Sequence, residues 1–239
     1  MTAEELLRAG RLDEAIASLG AELRLKPADA QRRTFLFELL CFAGAHERAQ
    51  KQLEVVAGAS KEARLGALLY LAALNAEQTR QEMFTQQTFP LGGPPVRPVA
   101  GTLNGRPFQA LEDADPRIGP RLEVFAAGRY LWLPFAHIAS VRIAPPKRLR
   151  DLLWIPAVVK PAPEMQTLEL GEVLLPAIAP LSWQHPDPAV RLGRVTEWVA
   201  DDDGRAIPVG QKLLLVDGEE VSLLEVRELD FAASPASSA

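Results

Sequence analysis

Of the 20 prolines in this 239-residue chain, 19 lie beyond residue 89, and Pro27 stands alone before it. Proline lacks a backbone N–H and breaks helix interiors, so residues 1–89 can form long helices and residues 90–239 cannot. The change falls at Phe89-Pro90-Leu91-Gly92-Gly93-Pro94-Pro95, a run of turn and linker residues. The expected organisation is therefore α+β in two parts: a helical domain at 1–89, a Pro/Gly linker at 90–100, a β-rich mixed domain at 101–231, and a frayed Ala/Ser/Pro tail at 232–239.

Within the first part, Leu12, Ala15, Ile16, Leu19 and Leu23 gather on one helical face. Phe35, Leu39, Leu40 and Phe42 repeat the pattern, and Leu65, Leu68, Leu69, Ala72 and Ala76 form a third stripe behind an N-cap at Ser60. This third helix is expected to run to about Phe84. Ala9-Gly10, Ala15 and Leu19 recur as Ala43-Gly44, Ala49 and Leu53, always 34 residues later. That is the period of tetratricopeptide units, in which helix pairs stack on one another. Glycine at the inter-helix turn permits a left-handed cap, and alanine at a crossing lets helices approach closely. Pro27 falls where such a unit ends, but its counterpart is Lys61, so the second copy is degenerate.

The second part alternates short apolar runs with turns. Leu122–Ala126 and Arg129–Leu133 flank Ala127-Gly128 as a hairpin, with Tyr130 and Trp132 on one strand face. Further strands are expected at Ile138–Ala144, Val195–Ala200, Lys212–Val216 and Val221–Leu229. Short strands broken by Gly and Pro favour an antiparallel sheet or a partly closed barrel.

Catalytic signatures are missing. The sequence has no nucleophile elbow, phosphate-cradling loop, dinucleotide fingerprint or H-E-x-x-H pair. His46, His137 and His185 have no second ligand at helical or hairpin spacing, so no metal or other cofactor is expected. Cys41 sits in an apolar helical run, where burial keeps a thiol unreactive. Asp201-Asp202-Asp203-Gly204 lacks the alternating ligands of a calcium loop and reads as a solvated turn. A net charge of -5 disfavours nucleic acid, whose binding depends on neutralised phosphates. The acidic N-terminus does not resemble a secretory signal, and no apolar run reaches the roughly 18 residues of a membrane helix. A cytoplasmic protein without a membrane partner is expected.

Three clusters concentrate arginine near tryptophan: the segment from Glu123 to Pro134, the segment Pro145–Trp154, and the segment Val190–Trp198. Such composition marks either a docking hot spot or a stacked, salt-bridged structural corner. The candidate protein-binding residues are Arg150, Asp151, Trp154, Arg191, Arg194 and Trp198.

These clusters carry a resemblance. "LLCFAG" with Arg48-Ala49 and Gln52-Leu53, "EVFAAGRYLWLP", "PPKRLRDLLWIPA", "GEVLLPAIAP" and "VRLGRVTEW" together resemble the ImpE family, also called TagJ or SciE-type, over about residues 3–230. One departure is Ala179-Pro180, where the family pattern has an aromatic residue and glycine. The resemblance implies a non-enzymatic accessory protein of bacterial type VI secretion, with a tetratricopeptide-like N-terminal region. It further implies a partner: the N-terminal helix of the small subunit of the contractile sheath, in sheath assembly or in recycling by a AAA+ ATPase. The alternatives that the residues leave open are a tetratricopeptide-like adaptor of another assembly and a carboxylate-dependent hydrolase.

Overall fold

The expected stripe of the first helical segment is buried in full: Leu12, Ala15, Ile16, Leu19 and Leu23 all face the interior. The structure is a computed structural model and describes residues 1–90, 98–165 and 170–232. Most of the linker at 90–100 and of the tail at 232–239 lies outside the described residues.

Five helices come first: α1 (Ala3–Arg8), α2 (Leu12–Leu25), α3 (Ala30–Phe42), α4 (His46–Ala57) and α5 (Lys61–Gln86), each packed on the next. Three have side-chain caps at their N-termini. Thr2, Asp29 and Ser60 accept from the backbone N–H of Glu5, Arg32 and Ala63, satisfying donors that a helix start leaves open. The ends of α1 and α3 close identically. Gly10 (φ 77°) and Gly44 (φ 68°) take the left-handed conformation. The N–H groups of Gly10 and Arg11 bond back to Leu7 and Leu6, and those of Gly44 and Ala45 to Cys41 and Leu40. Both partners are shifted by 34 residues, so the repeat in sequence is a repeat in backbone geometry.

The rest is antiparallel sheet. An eight-stranded sheet has the order β2-β1-β13-β6-β7-β8-β4-β5, a three-stranded sheet the order β12-β11-β3, and β9 pairs with β10 as a ribbon. The strands are β1 (Gly101–Leu103), β2 (Arg106–Phe108), β3 (Leu111–Asp113), β4 (Arg121–Ala126), β5 (Arg129–Pro134), β6 (Ile138–Ile143) and β7 (Trp154–Pro161). They continue as β8 (Glu172–Pro176), β9 (Thr196–Ala200), β10 (Ala206–Gly210), β11 (Leu213–Val216), β12 (Glu219–Ser222) and β13 (Glu228–Phe231), with a one-turn helix α6 at Pro188–Arg191.

Strand alternation divides the interior in two. Leu122 and Val124 of β4, Ile155 of β7 and Leu175 of β8 point into a core shared with the small sheet. Their neighbours Phe125, Trp154 and Leu174 point the other way, into a core shared with the helices. The large sheet is thus a middle layer with helices on one face. No helix among the described residues is long and apolar enough to cross a membrane.

Two sequence expectations need correction, and further strands went unrecognised. The single strand expected at Val221–Leu229 is two strands, β12 and β13, separated by a 3₁₀ turn at Leu223–Glu225 that Ser222 caps through its hydroxyl. Strand β7 was hidden by Pro156 and Pro161, and β10 by Pro208. The third helical stripe is only half covered: Ala76 is buried, but Leu65, Leu68 and Leu69 are 64%, 54% and 54% exposed. The first half of α5 instead buries Ala67 and packs Tyr70 and Leu71 against the helical core.

Candidate functional site

Where α5 crosses the large sheet, its second half carries Glu77, Arg80 and Gln81 at i, i+3 and i+4, on one side of the helix. Opposite them, Glu123 lies between Leu122 and Val124 on β4 but on the other face, beside Phe125. Arg80 and Glu123 are 1% and 0% exposed. Arg80 Nε and Nη2 donate to the two carboxylate oxygens of Glu123 at 2.7 and 3.0 Å. Its Nη1 donates to Glu77 at 3.1 Å and its Nη2 also to the carbonyl of Ile178 at 3.0 Å.

The network extends from there. Lys212, which precedes β11, bridges Glu123 and Asp113 through its ammonium group. Tyr130 donates to Glu123, and Trp132 donates its indole N–H to Tyr130, as expected from their shared strand face. Trp154 donates to Glu77 at 3.0 Å. Gln81 bonds Glu77 and accepts from the backbone of Leu181.

The charges set one another's protonation. Burial pushes the Glu123 carboxyl up, but Arg80 and Lys212 outweigh it and hold the group at about 2. Burial raises Asp113 too; Lys212 offsets only part of this and Glu123 adds to it, leaving Asp113 at about 7. Burial also drives the thiol of Cys41 well above the usual range. Beside the network is a cavity of about 30 Å³, lined by Cys41, His46, Glu77, Arg80 and Trp154 among others, which is roughly the size of one water. The cations and carboxylates are therefore bonded to one another and joined across helix and sheet. No group of three or more potential metal ligands is present among the described residues.

Of the six candidate residues, four reach across to the helices. Arg150 lies over the ring of Tyr70 at 4.6 Å and pairs with Glu38 at 3.0 Å. Trp154 is buried beside Phe37. Arg191 grips Asp13 with two bonds of 3.0 and 3.1 Å. Arg194 donates to the carbonyls of Arg8 and Leu7 at 3.1 and 2.6 Å, capping the C-terminus of α1. Asp151 acts locally, accepting from the backbone of Lys147 and Arg148. Trp198 is apart from them, 42% exposed on β9.

Sequence reasoning did not single out Arg80, Lys212, Asp113 or Glu77. A signal existed at Lys212, a lone charge beside an apolar run, and at Glu123, a charge inside the apolar strand Leu122–Ala126.

An N-terminal helical layer bound to a β-rich unit through a buried charge network defines an α+β protein whose two parts share one core. Among solved structures the fold is similar to that of protein VPA1032 from Vibrio parahaemolyticus, with a TM-score of 0.84, 22% identity and coverage of 97% of this chain and 98% of that one. Residues 105–230 match the family model described as ImpE protein. The type VI secretion system accessory component TagJ of Pseudomonas aeruginosa is 39% identical over 99% of this chain and 93% of its own length. The chain belongs to the ImpE family.

Proposed function

We propose that this chain is a non-enzymatic, cytoplasmic adaptor of a bacterial type VI secretion system. It docks the N-terminal helix of the sheath small subunit and serves in sheath assembly or recycling, close to the AAA+ ATPase. The likeness to TagJ, an accessory component, supports the secretion role. The observation that carries the docking reading is the stripe Leu65, Leu68 and Leu69, exposed on α5 at the spacing of one helical face. The same stripe continues through Ala72, against the β4–β5 turn at Gly128, to the buried Ala76. An amphipathic helix from a partner would extend the cover that the sheet provides further along.

The matched closures at Gly10 and Gly44 support a tetratricopeptide-like reading of α1–α4, with α5 beginning a third unit. In this account Arg150, Trp154, Arg191 and Arg194 hold helices and sheet together, Asp151 shapes its own turn, and only Trp198 remains open to a partner. The hydrolase reading is weaker, because Glu77, Glu123 and Asp113 are bonded to Arg80 and Lys212 beside a cavity for roughly one water.

A photocrosslinking amino acid at Leu69 tests the docking face, with the exposed Leu25 on α2 as control position. Crosslinking of the co-expressed sheath small subunit from position 69 and not from 25 is expected. Equal crosslinking from both, or none from 69, would remove this face from the account.

A further inference from the structure

We propose that the outer edge of β9 is a second docking site, one that adds an extended, basic segment of a partner protein as a further strand. This surface lies on the β9–β10 ribbon and goes beyond the helix-binding reading of α5.

Backbone register shows what the edge offers. Val195 accepts from Gln211, and Asp201 donates to Arg205, so at these positions the β9 backbone faces β10. Antiparallel pairing alternates, so Thr196, Trp198 and Ala200 turn their N–H and C=O groups away from β10. Pro208, which has no N–H to give, stands opposite Trp198, as this register requires. Among the described residues no group bonds the backbone N–H or C=O of those three, although the Thr196 hydroxyl donates to the carbonyl of Gln211 at 2.7 Å. Only an extended chain supplies donors and acceptors at that alternating spacing.

Three of the other edge strands are guarded. β2 is three residues long and contains Pro107; β12 carries Glu219 and Glu220; β5 lies against α5. β9 is five residues long and free of proline, carries Glu197 as its one charge, and exposes Trp198 (42%) and the adjoining Val195 (44%) as apolar anchors. One face of the ribbon borders a groove of about 450 Å³ floored by Phe84, Pro180, Leu181, Val199, Ile207 and Val209.

Charge specifies the occupant. Glu197, Asp201, Asp202 and Asp203 lie on or next to this strand; Arg205 holds Asp201 and Asp203, His185 lies 3.5 Å from Glu197, and Arg194 is turned to the end of α1, which leaves Glu197 and Asp202 to face a cationic segment. A segment alternating Lys or Arg with apolar residues complements this set; nucleic acid is repelled, and a second copy of the chain would bring the same carboxylates to the same edge.

Ala200→Pro tests the proposal on the full chain. It deletes an outward N–H used by no internal bond, and Val199 before it is already extended, as proline demands. Ala200→Thr keeps the donor, and thermal melting verifies that both variants fold. A phage-displayed library of random dodecapeptides is selected against the wild type and both variants. The expected result is a set of basic, alternating peptides retained by wild type and Ala200→Thr and weakened about tenfold or more by Ala200→Pro, with slowed amide exchange at Thr196, Trp198 and Ala200 on binding. Peptides retained equally by Ala200→Pro, peptides without basic enrichment, or slowed exchange of these amides with rising protein concentration alone would overturn it, the last in favour of self-association.

Discussion

Arg80 on α5 and Glu123 on β4 face each other through two parallel hydrogen bonds, fully shielded from water. Removing one partner strands a buried charge, and a change of this kind costs about 3–5 kcal/mol. Arg80→Met should therefore lower the melting temperature by roughly 10 °C in a chain of this length, at about 2–4 °C per kcal/mol. Thermal and urea unfolding measure it. A loss of about 1 kcal/mol or less would show that water reaches the pair.

The network also predicts the pH dependence of stability. Glu123 is held at about 2, below its ordinary 4.5, so its contribution is complete above about pH 4.5 and is lost as pH falls through 2. Asp113 runs the other way. With its carboxyl at about 7 rather than 3.8, the folded chain binds a proton that the unfolded chain releases between those values. Stability should decline from about pH 4 to pH 7 through this group, and Asp113→Asn should flatten that decline. Urea midpoints across the range measure both slopes; an unchanged slope in Asp113→Asn would assign the decline elsewhere.

Gly10 and Gly44 occupy equivalent turns but different surroundings. A Cβ on Gly44 would lie 2.4 Å from the ring of Trp183, whereas one on Gly10 would meet only Arg194 Nη1 at 3.7 Å. Gly10→Ala should cost the left-handed penalty of about 1–2 kcal/mol. Gly44→Ala should cost about 1–3 kcal/mol more, for overpacking. In a Trp183→Ala background the extra cost of Gly44→Ala should disappear, which a double-mutant cycle reads directly.

Arg191 and Arg194 separate a structural corner from a docking surface. Asp13 is 70% exposed, so Arg191→Ala should cost no more than about 1 kcal/mol. Arg194 donates to the carbonyls closing α1 but is itself exposed, and Arg194→Ala should cost about 1 kcal/mol or less. Neither change should alter the affinity for the sheath-subunit peptide. A lost affinity with unchanged melting would make them docking residues.

The sequence carried the local signals well. The hairpin at Ala127-Gly128 forms with φ of 48° and 75° at its two central residues, and Ser60 caps α5. What it concealed depends on tertiary packing. Proline at the outward position of β10 is compatible with a strand, but from sequence alone Pro208 reads as a break. Leu65, Leu68 and Leu69 carry the period of a core stripe, and periodicity does not say whether a partner inside the chain covers it. Among the candidate residues, the arginine and tryptophan clusters were visible as composition. Their assignment needed the positions of Asp13, Glu38 and Glu77, which lie more than 75 residues away along the chain.

The docking claim is tested most directly by calorimetric titration with a synthetic peptide from the N-terminus of the cognate sheath small subunit. The account predicts a saturable one-site isotherm with Kd of about 1 μM or tighter for the wild type. Leu68→Glu should weaken it by about tenfold or more, by placing a charge where an apolar anchor must be buried. Absence of heat, confirmed by unchanged tumbling of the labelled peptide, or an isotherm that Leu68→Glu leaves intact, would contradict it.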